Sequence, residues 1–172
     1  MGHSVGIAVI VFSLLATSTA VGRAETGSGD GRETLTKALQ GAWLPLESGL
    51  AVSAGEGMPL SAKYEIDDGT FQLSVYTSTA DSFMEVIVDY SSGVVVRVET
   101  ISDGGDLAAA RNQKAAMDQA KRSLAEATAV AVKANTGYRA VSAMPNLDNG
   151  RPVAEVTLLR GDDWKVVNER LD

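Results

Sequence analysis

The 172-residue chain contains no cysteine, and its one histidine, His3, stands in the first few residues. Thiol catalysis, disulfide frameworks, Cys/His zinc sites and imidazole general-base mechanisms each need a residue type that is missing or confined to that segment. Aromatic residues make up only 5% of the chain, too few to line the kind of cleft a sugar-cleaving enzyme uses. These absences point to a protein that is not an enzyme and holds no cofactor or metal. The length fits one domain or two very small ones.

Basic residues are also scarce. Fifteen Lys and Arg stand against 22 Asp and Glu, giving a formal charge of −7. An acidic surface repels phosphate backbones and anionic lipid, and no basic cluster interleaved with aromatics offsets it, so nucleic acid and membrane surfaces are not expected partners. The one long apolar run, Val5 to Leu15, is followed by small and polar residues (ATSTA, then VGRAE). It is too short to cross a bilayer and has the pattern of a secretory signal peptide over residues 1–24, with cleavage near Ala20 or Ala24. An uncleaved anchor is the rival, and the stretch MGHS, without Lys or Arg, departs from the usual signal pattern. The expected location is periplasmic or secreted, with no membrane insertion after cleavage.

Beyond a Gly-rich stretch, Leu35, Leu39, Leu46 and Leu50 share one helical face. Pro45 interrupts the pattern and predicts a kink or a short helix restarting there. The period then changes to two. Leu60, Ala62, Tyr64 and Ile66 alternate with polar residues, Asp67-Asp68-Gly69 follows, and Phe71, Leu73 and Val75 alternate again. That is a β-hairpin, with Asp68-Gly69 suited to a tight primed turn. Two more strands are expected, Phe83 to Tyr90 and Gly93 to Glu99. Leu107 to Asn135 is rich in helix formers and predicts one helix, or two broken near Ser123, where Ser-Leu-Ala-Glu has the capping-box pattern. Strands over Tyr138 to Leu147, Pro152 to Arg160 and Trp164 to Leu171 follow, the first two joined at Asn149-Gly150. An offset of 81 residues carries Asp68-Gly69 onto Asn149-Gly150 and Ala62 onto Ala143, and sets the leucines 39, 46 and 50 on Ala120, Ala127 and Ala131. The second half thus repeats the pattern of the first. The expected fold is α+β, built of two tandem helix-plus-antiparallel-sheet (αβββ) units over 25–102 and 103–172.

The stretch Gly57 to Val96, with the turn Val88-Asp89-Tyr90-Ser91-Ser92-Gly93, resembles the PepSY domain, in which a V-D-x-x-T-G turn precedes a last short strand; Ser92 stands where Thr is usual. Residues 123–172 resemble a second PepSY unit, C-terminally truncated, whose equivalent turn, Val167-Asn168-Glu169-Arg170, lacks Gly. The resemblance implies a fold signature without catalytic residues, and a role in binding another polypeptide, with peptidase inhibition or modulation proposed for the family.

The carboxylate pairs Asp67/Asp68, Asp103/Asp106 and Asp162/Asp163 all fall in Gly-containing turns, where Asp caps backbone donors. They make a carboxylate-dependent hydrolase or a calcium loop the weaker alternatives, since the alternating acids of a calcium loop are absent. Asp89, four residues before Gly93, is expected to accept from backbone N–H groups and fix the strand reversal. Arg160-Gly161-Asp162 spells an integrin-read tripeptide but reads first as a turn. Trp164 fits a core position and Trp43 an exposed one. A small-ligand carrier is a further alternative, which an apolar cavity between the halves would favour. An exported peptidase is one partner that the polypeptide-binding reading would suit.

Overall fold

The computed structural model describes residues 28–102 and 104–172. The expected signal peptide, residues 1–24, lies outside the described residues, as does Asp103.

The described chain runs α1 (Ser28–Leu39), α2 (Leu46–Ser53), a 3-10 turn (Ala54–Glu56), β1 (Met58–Asp67), β2 (Thr70–Ser78), β3 (Phe83–Val88), β4 (Val95–Thr100), α3 (Gly104–Met117), α4 (Leu124–Ala134), β5 (Arg139–Asp148), β6 (Arg151–Arg160) and β7 (Asp163–Arg170). All seven strands form one antiparallel sheet in the order β4-β3-β2-β1-β5-β6-β7. The fold is α+β, and its strands share a sheet through the β1–β5 seam, where Ala62 pairs with Ala143 and Lys63 with Ser142.

Local sequence explains the element ends. Pro45 supplies the extended residue before α2 (φ −64°, ψ 144°), so the chain leaves one helix at Leu39 and starts another. At Ser123 the capping box is complete: the Ser123 hydroxyl oxygen accepts from the Glu126 N–H, and the Glu126 carboxylate accepts from the Ser123 N–H. Both tight hairpins use left-handed residue pairs, Asp68 and Gly69 at φ 45° and 77°, Asn149 and Gly150 at φ 49° and 77°.

The strand registers repeat at the offset of 81. Ala62 pairs with Val75 and Ala143 with Val156; Val75 pairs with Val86 and Val156 with Val167. Even the irregularities coincide, one extra residue at Leu60 in β1 and one at Val141 in β5. Helices keep a different offset. α1 and α3 end at Leu39 and Met117, and α2 and α4 begin at Leu46 and Leu124, so the shift there is 78. The Trp43 and Leu44 N–H groups donate to the Tyr90 carbonyl just as those of Lys121 and Arg122 donate to that of Leu171. Leu39, Leu46 and Leu50 therefore correspond to Met117, Leu124 and Thr128, not to Ala120, Ala127 and Ala131. The cause is the helix-to-strand connection: Gly57 alone follows the 3-10 turn, whereas Asn135 to Tyr138 follow α4. β4 has no counterpart after β7 among the described residues.

Helices cover both faces of the sheet. α2 packs on the face that carries Ala62, Leu73, Val75 and Val86, so closely that a Cβ on Gly49 would stand 2.5 Å from the Leu73 side chain, and α4 lies beside α2. α3 lies on the other face: the Gln113 side-chain carbonyl accepts from the Ser61 hydroxyl at 2.8 Å, and Asp106 accepts from the Tyr76 hydroxyl at 2.9 Å. Ala110, one turn after Asp106 on the same stripe, is fully buried and lets that helix approach. Leu50, Leu60, Leu73, Leu124, Leu158 and Leu171 are fully buried, and truncation of any one to Ala is worth about 2–5 kcal/mol.

Candidate binding surfaces

The β3–β4 corner is held by a dense set of hydrogen bonds centred on Asp89. One carboxylate oxygen of Asp89, Oδ1, accepts from the N–H and hydroxyl of Ser91 (3.1 and 2.7 Å) and from those of Ser92 (both 2.7 Å). The backbone closes the same loop, with the Gly93 N–H on the Asp89 carbonyl and the Asp89 N–H on that of Val94. Gly93 sits at φ 76°, which excludes a side chain without strain. These donors, the Ser91 hydroxyl foremost, hold the Asp89 carboxyl far below the usual carboxylate range. Every lone pair of that oxygen is engaged within the loop, so the geometry is that of a clasp. Asp68-Gly69 lies at the same end of the sheet as this corner, where Phe71 stacks on Tyr64 and packs against Tyr90. Asn149-Gly150 lies at the opposite end, because β5 runs antiparallel to β1.

Among the described residues, the remaining sequence candidates stand at separate places in the fold. Asp68 and the pair Asp162/Asp163 are exposed at two different turns, Asp67 is half-buried at the end of β1, and Asp163 accepts from the Tyr138 hydroxyl and pairs with Arg160. Asp106 is engaged by Tyr76. Among the described residues no group of three or more His, Asp or Glu could hold a metal ion. Arg160-Gly161-Asp162 is the β6–β7 turn, with Gly161 at φ 59°. Trp164 is half-buried beneath the Arg32 guanidinium (5.7 Å to the ring centroid), whereas Trp43 is 83% exposed.

Two sets of groups escaped the sequence. On the sheet face that carries α3, Glu85 is partly buried and accepts from the Ser74 hydroxyl at 2.5 Å, close to a Lys63–Glu65 ion pair of 2.5 Å. Burial raises the Glu85 carboxyl above its ordinary range; the Ser74 hydrogen bond opposes this and the nearby Glu65 adds to it. Polar alternation in β1 and β3 marks these positions, but pairing across strands was needed to bring them together. The second is Arg139, whose Nη1 donates to the carbonyls of Leu39 (3.0 Å) and Ala42 (2.8 Å) and whose Nη2 reaches that of Leu44 (3.4 Å). Its guanidinium also lies over the Tyr64 ring, and the Tyr64 hydroxyl donates to the Leu44 carbonyl at 2.5 Å. No motif announces a cation that closes a turn about a hundred residues away.

Three surfaces are open to a partner. β4 is a sheet edge with Val96 and Val98 exposed (62% and 36%) and Val94, just before the strand, 59% exposed. β7 is the other edge, with Val166 exposed. A cleft of about 530 Å³ lies between α2, the start of β1 and the α3–α4 connection. No helix among the described residues is long and apolar enough to cross a membrane. Comparison with protein-family models, characterised proteins and solved structures finds no match for the chain.

Proposed function

We propose that the chain is an exported, non-enzymatic protein built of two tandem PepSY-like units, and that it binds another polypeptide, acting as an inhibitor or modulator of an exported peptidase. The observation that carries the proposal is the β4 edge. Sheet edges are normally blunted by charge, proline or a covering element; β4 carries one charged pair, Arg97 and Glu99, but exposes Val96 and Val98, with Val94 just before the strand, beside a row of backbone groups left unpaired on its outer side. An extended segment added there gains main-chain hydrogen bonds and apolar contact together. The repeat of strand register at 81 residues, bulges included, supports the tandem arrangement, and the Asp89 corner supports the PepSY resemblance because the turn that carries it holds β4 in place.

The test is titration of the chain lacking residues 1–24 into several exported peptidases, alongside a Val96→Lys variant. Inhibition by the parent and its loss in V96K are expected. No inhibition at large molar excess over every peptidase, together with no capture of an extended peptide, overturns the proposal. The cleft favours a second reading, a small-ligand carrier, but its rim residues Ala51, Ala54, Lys121 and Ser123 are exposed. Small-molecule sites bury most of their ligand, and an open cleft suits an inserted side chain better.

A further inference from the structure

The cleft is the counterpart of the place that Arg139 fills. With the strand offset of 81, Arg139 corresponds to Met58. With the helical offset of 78, the carbonyls it meets, those of Leu39, Ala42 and Leu44, correspond to those of Met117, Ala120 and Arg122. The backbone around the two carbonyl sets is the same: the Ala42 N–H donates to Leu39 at 3.1 Å and the Ala120 N–H to Met117 at 3.0 Å, and both loops hang on one carbonyl of the strand end that follows. At the first place the guanidinium closes the gap and Val132 of α4 packs against the core. At the second the matching residues are Met58 and Ala54, one uncharged and one smaller, and the gap stands open, lined by Leu50, Ala51, Ala54, Met58, Met117 and Ala120.

We infer that this cleft receives an arginine side chain from a bound polypeptide, its guanidinium donating to the carbonyls of Met117, Ala120 and Arg122 as Arg139 donates to their counterparts. The Ala120 and Arg122 carbonyls follow the C-terminal end of α3, where the helix dipole favours a cation, and a planar fork spans several carbonyls as an ammonium does not. Two cations border the cleft. The Arg122 guanidinium is turned to the Arg170 carbonyl at 3.0 Å, and Lys121 is exposed at the rim, so neither occupies the floor. The net charge of −7 favours a basic segment in solution. The inference rests on the polypeptide-binding reading for the source of the arginine, but the cleft is tested without any partner.

N-acetyl-arginine methylamide is titrated into the full chain while the amide signals of Ala54, Met58 and Ala120 are followed by NMR, with the lysine and norleucine analogues as controls. Shifts confined to this cleft are expected, with an affinity at least about tenfold above that of either control. Met58→Arg supplies the missing cation in cis and should abolish the shifts while raising the melting temperature. Ala54→Val, which copies Val132, should weaken binding several-fold with the fold intact. Equal response to the three analogues, or binding unchanged in both M58R and A54V, overturns the inference. Binding of the arginine analogue by a chain that neither inhibits any peptidase nor captures an extended peptide would leave the cleft standing and overturn the polypeptide reading alone.

Discussion

Ala62 and Ala143 face one another across the β1–β5 seam, each essentially without solvent exposure, and each is the other's counterpart at the offset of 81. An approximate two-fold axis therefore passes between them. A two-fold relation that superimposes two strands on each other must run through the place where a residue meets its own equivalent. Small side chains suit that place because the seam lies under the neighbouring helices α2 and α4. Ala143→Leu should cost about 1–3 kcal/mol through overpacking, measured by urea denaturation. A loss no greater than that of a surface substitution would show that the seam is loosely packed.

Asp89 offers the sharpest separation of fold from function. Its carboxyl is held far below the ordinary range by four donors, so the native state favours the charged form. A group lowered in this way adds stability above its unfolded value, near 4, and the contribution is lost as pH falls through the lower folded value. Asp89→Ala should lower the melting temperature at pH 7 and flatten the fall in stability on acidification below about pH 4. An unchanged melting temperature with partner binding lost would make Asp89 a contact residue.

Much of the fold was legible from residue order, and the parts that were not have definite causes. The strand pattern, both primed turns, the restart at Pro45 and the cap at Ser123 are encoded within a few residues of where they act. The helical offset was hidden because Ala-rich α4 has an apolar face narrow enough to align equally well one turn away, and only the longer Asn135 to Tyr138 connection shows which alignment holds. The Asp89 clasp was readable because it is local. Arg139 and Glu85 were not, since their partners are supplied by chain segments that meet only after the sheet has formed.

Ser123 tests the local encoding directly. Its hydroxyl oxygen and the Glu126 carboxylate satisfy two donors at the start of α4, and the Glu126 carboxyl is lowered chiefly by the Ser123 N–H. Ser123→Ala should destabilise the protein by about 1 kcal/mol, seen as a fall in the thermal midpoint, whereas Ser123→Thr, which keeps the acceptor oxygen and the hydroxyl that donates to Glu126, should largely preserve it.

Glu85 predicts the opposite pH dependence to Asp89. Burial raises its folded value above the unfolded one, near 4.3, so the native state binds the proton more tightly. Its contribution is present below the unfolded value and is lost as pH rises through the folded one. Glu85→Gln keeps an acceptor for the Ser74 hydroxyl without the buried charge. It should raise stability at pH 7 relative to the parent and leave it unchanged near pH 3, by melts at the two pH values. A variant less stable at pH 7 would mean that attraction from Lys63 and Arg97 outweighs burial.

Arg139→Met tests the relation between the two carbonyl sites. Arg139 joins the end of α1 to β5 and stacks on Tyr64, and a cation donating to several carbonyls contributes about 1.5–3 kcal/mol. The variant should lose stability of that order and make the two halves alike at this position, with Met at both equivalent places. If the gap at Met58 is open because it lacks an arginine, R139M should open a matching gap beside Tyr64. N-acetyl-arginine methylamide at high concentration should then restore part of the lost melting temperature, while the norleucine analogue should not. Equal rescue by both would show that Arg139 acts by filling space with its apolar stem, in which case the carbonyl carries none of the preference.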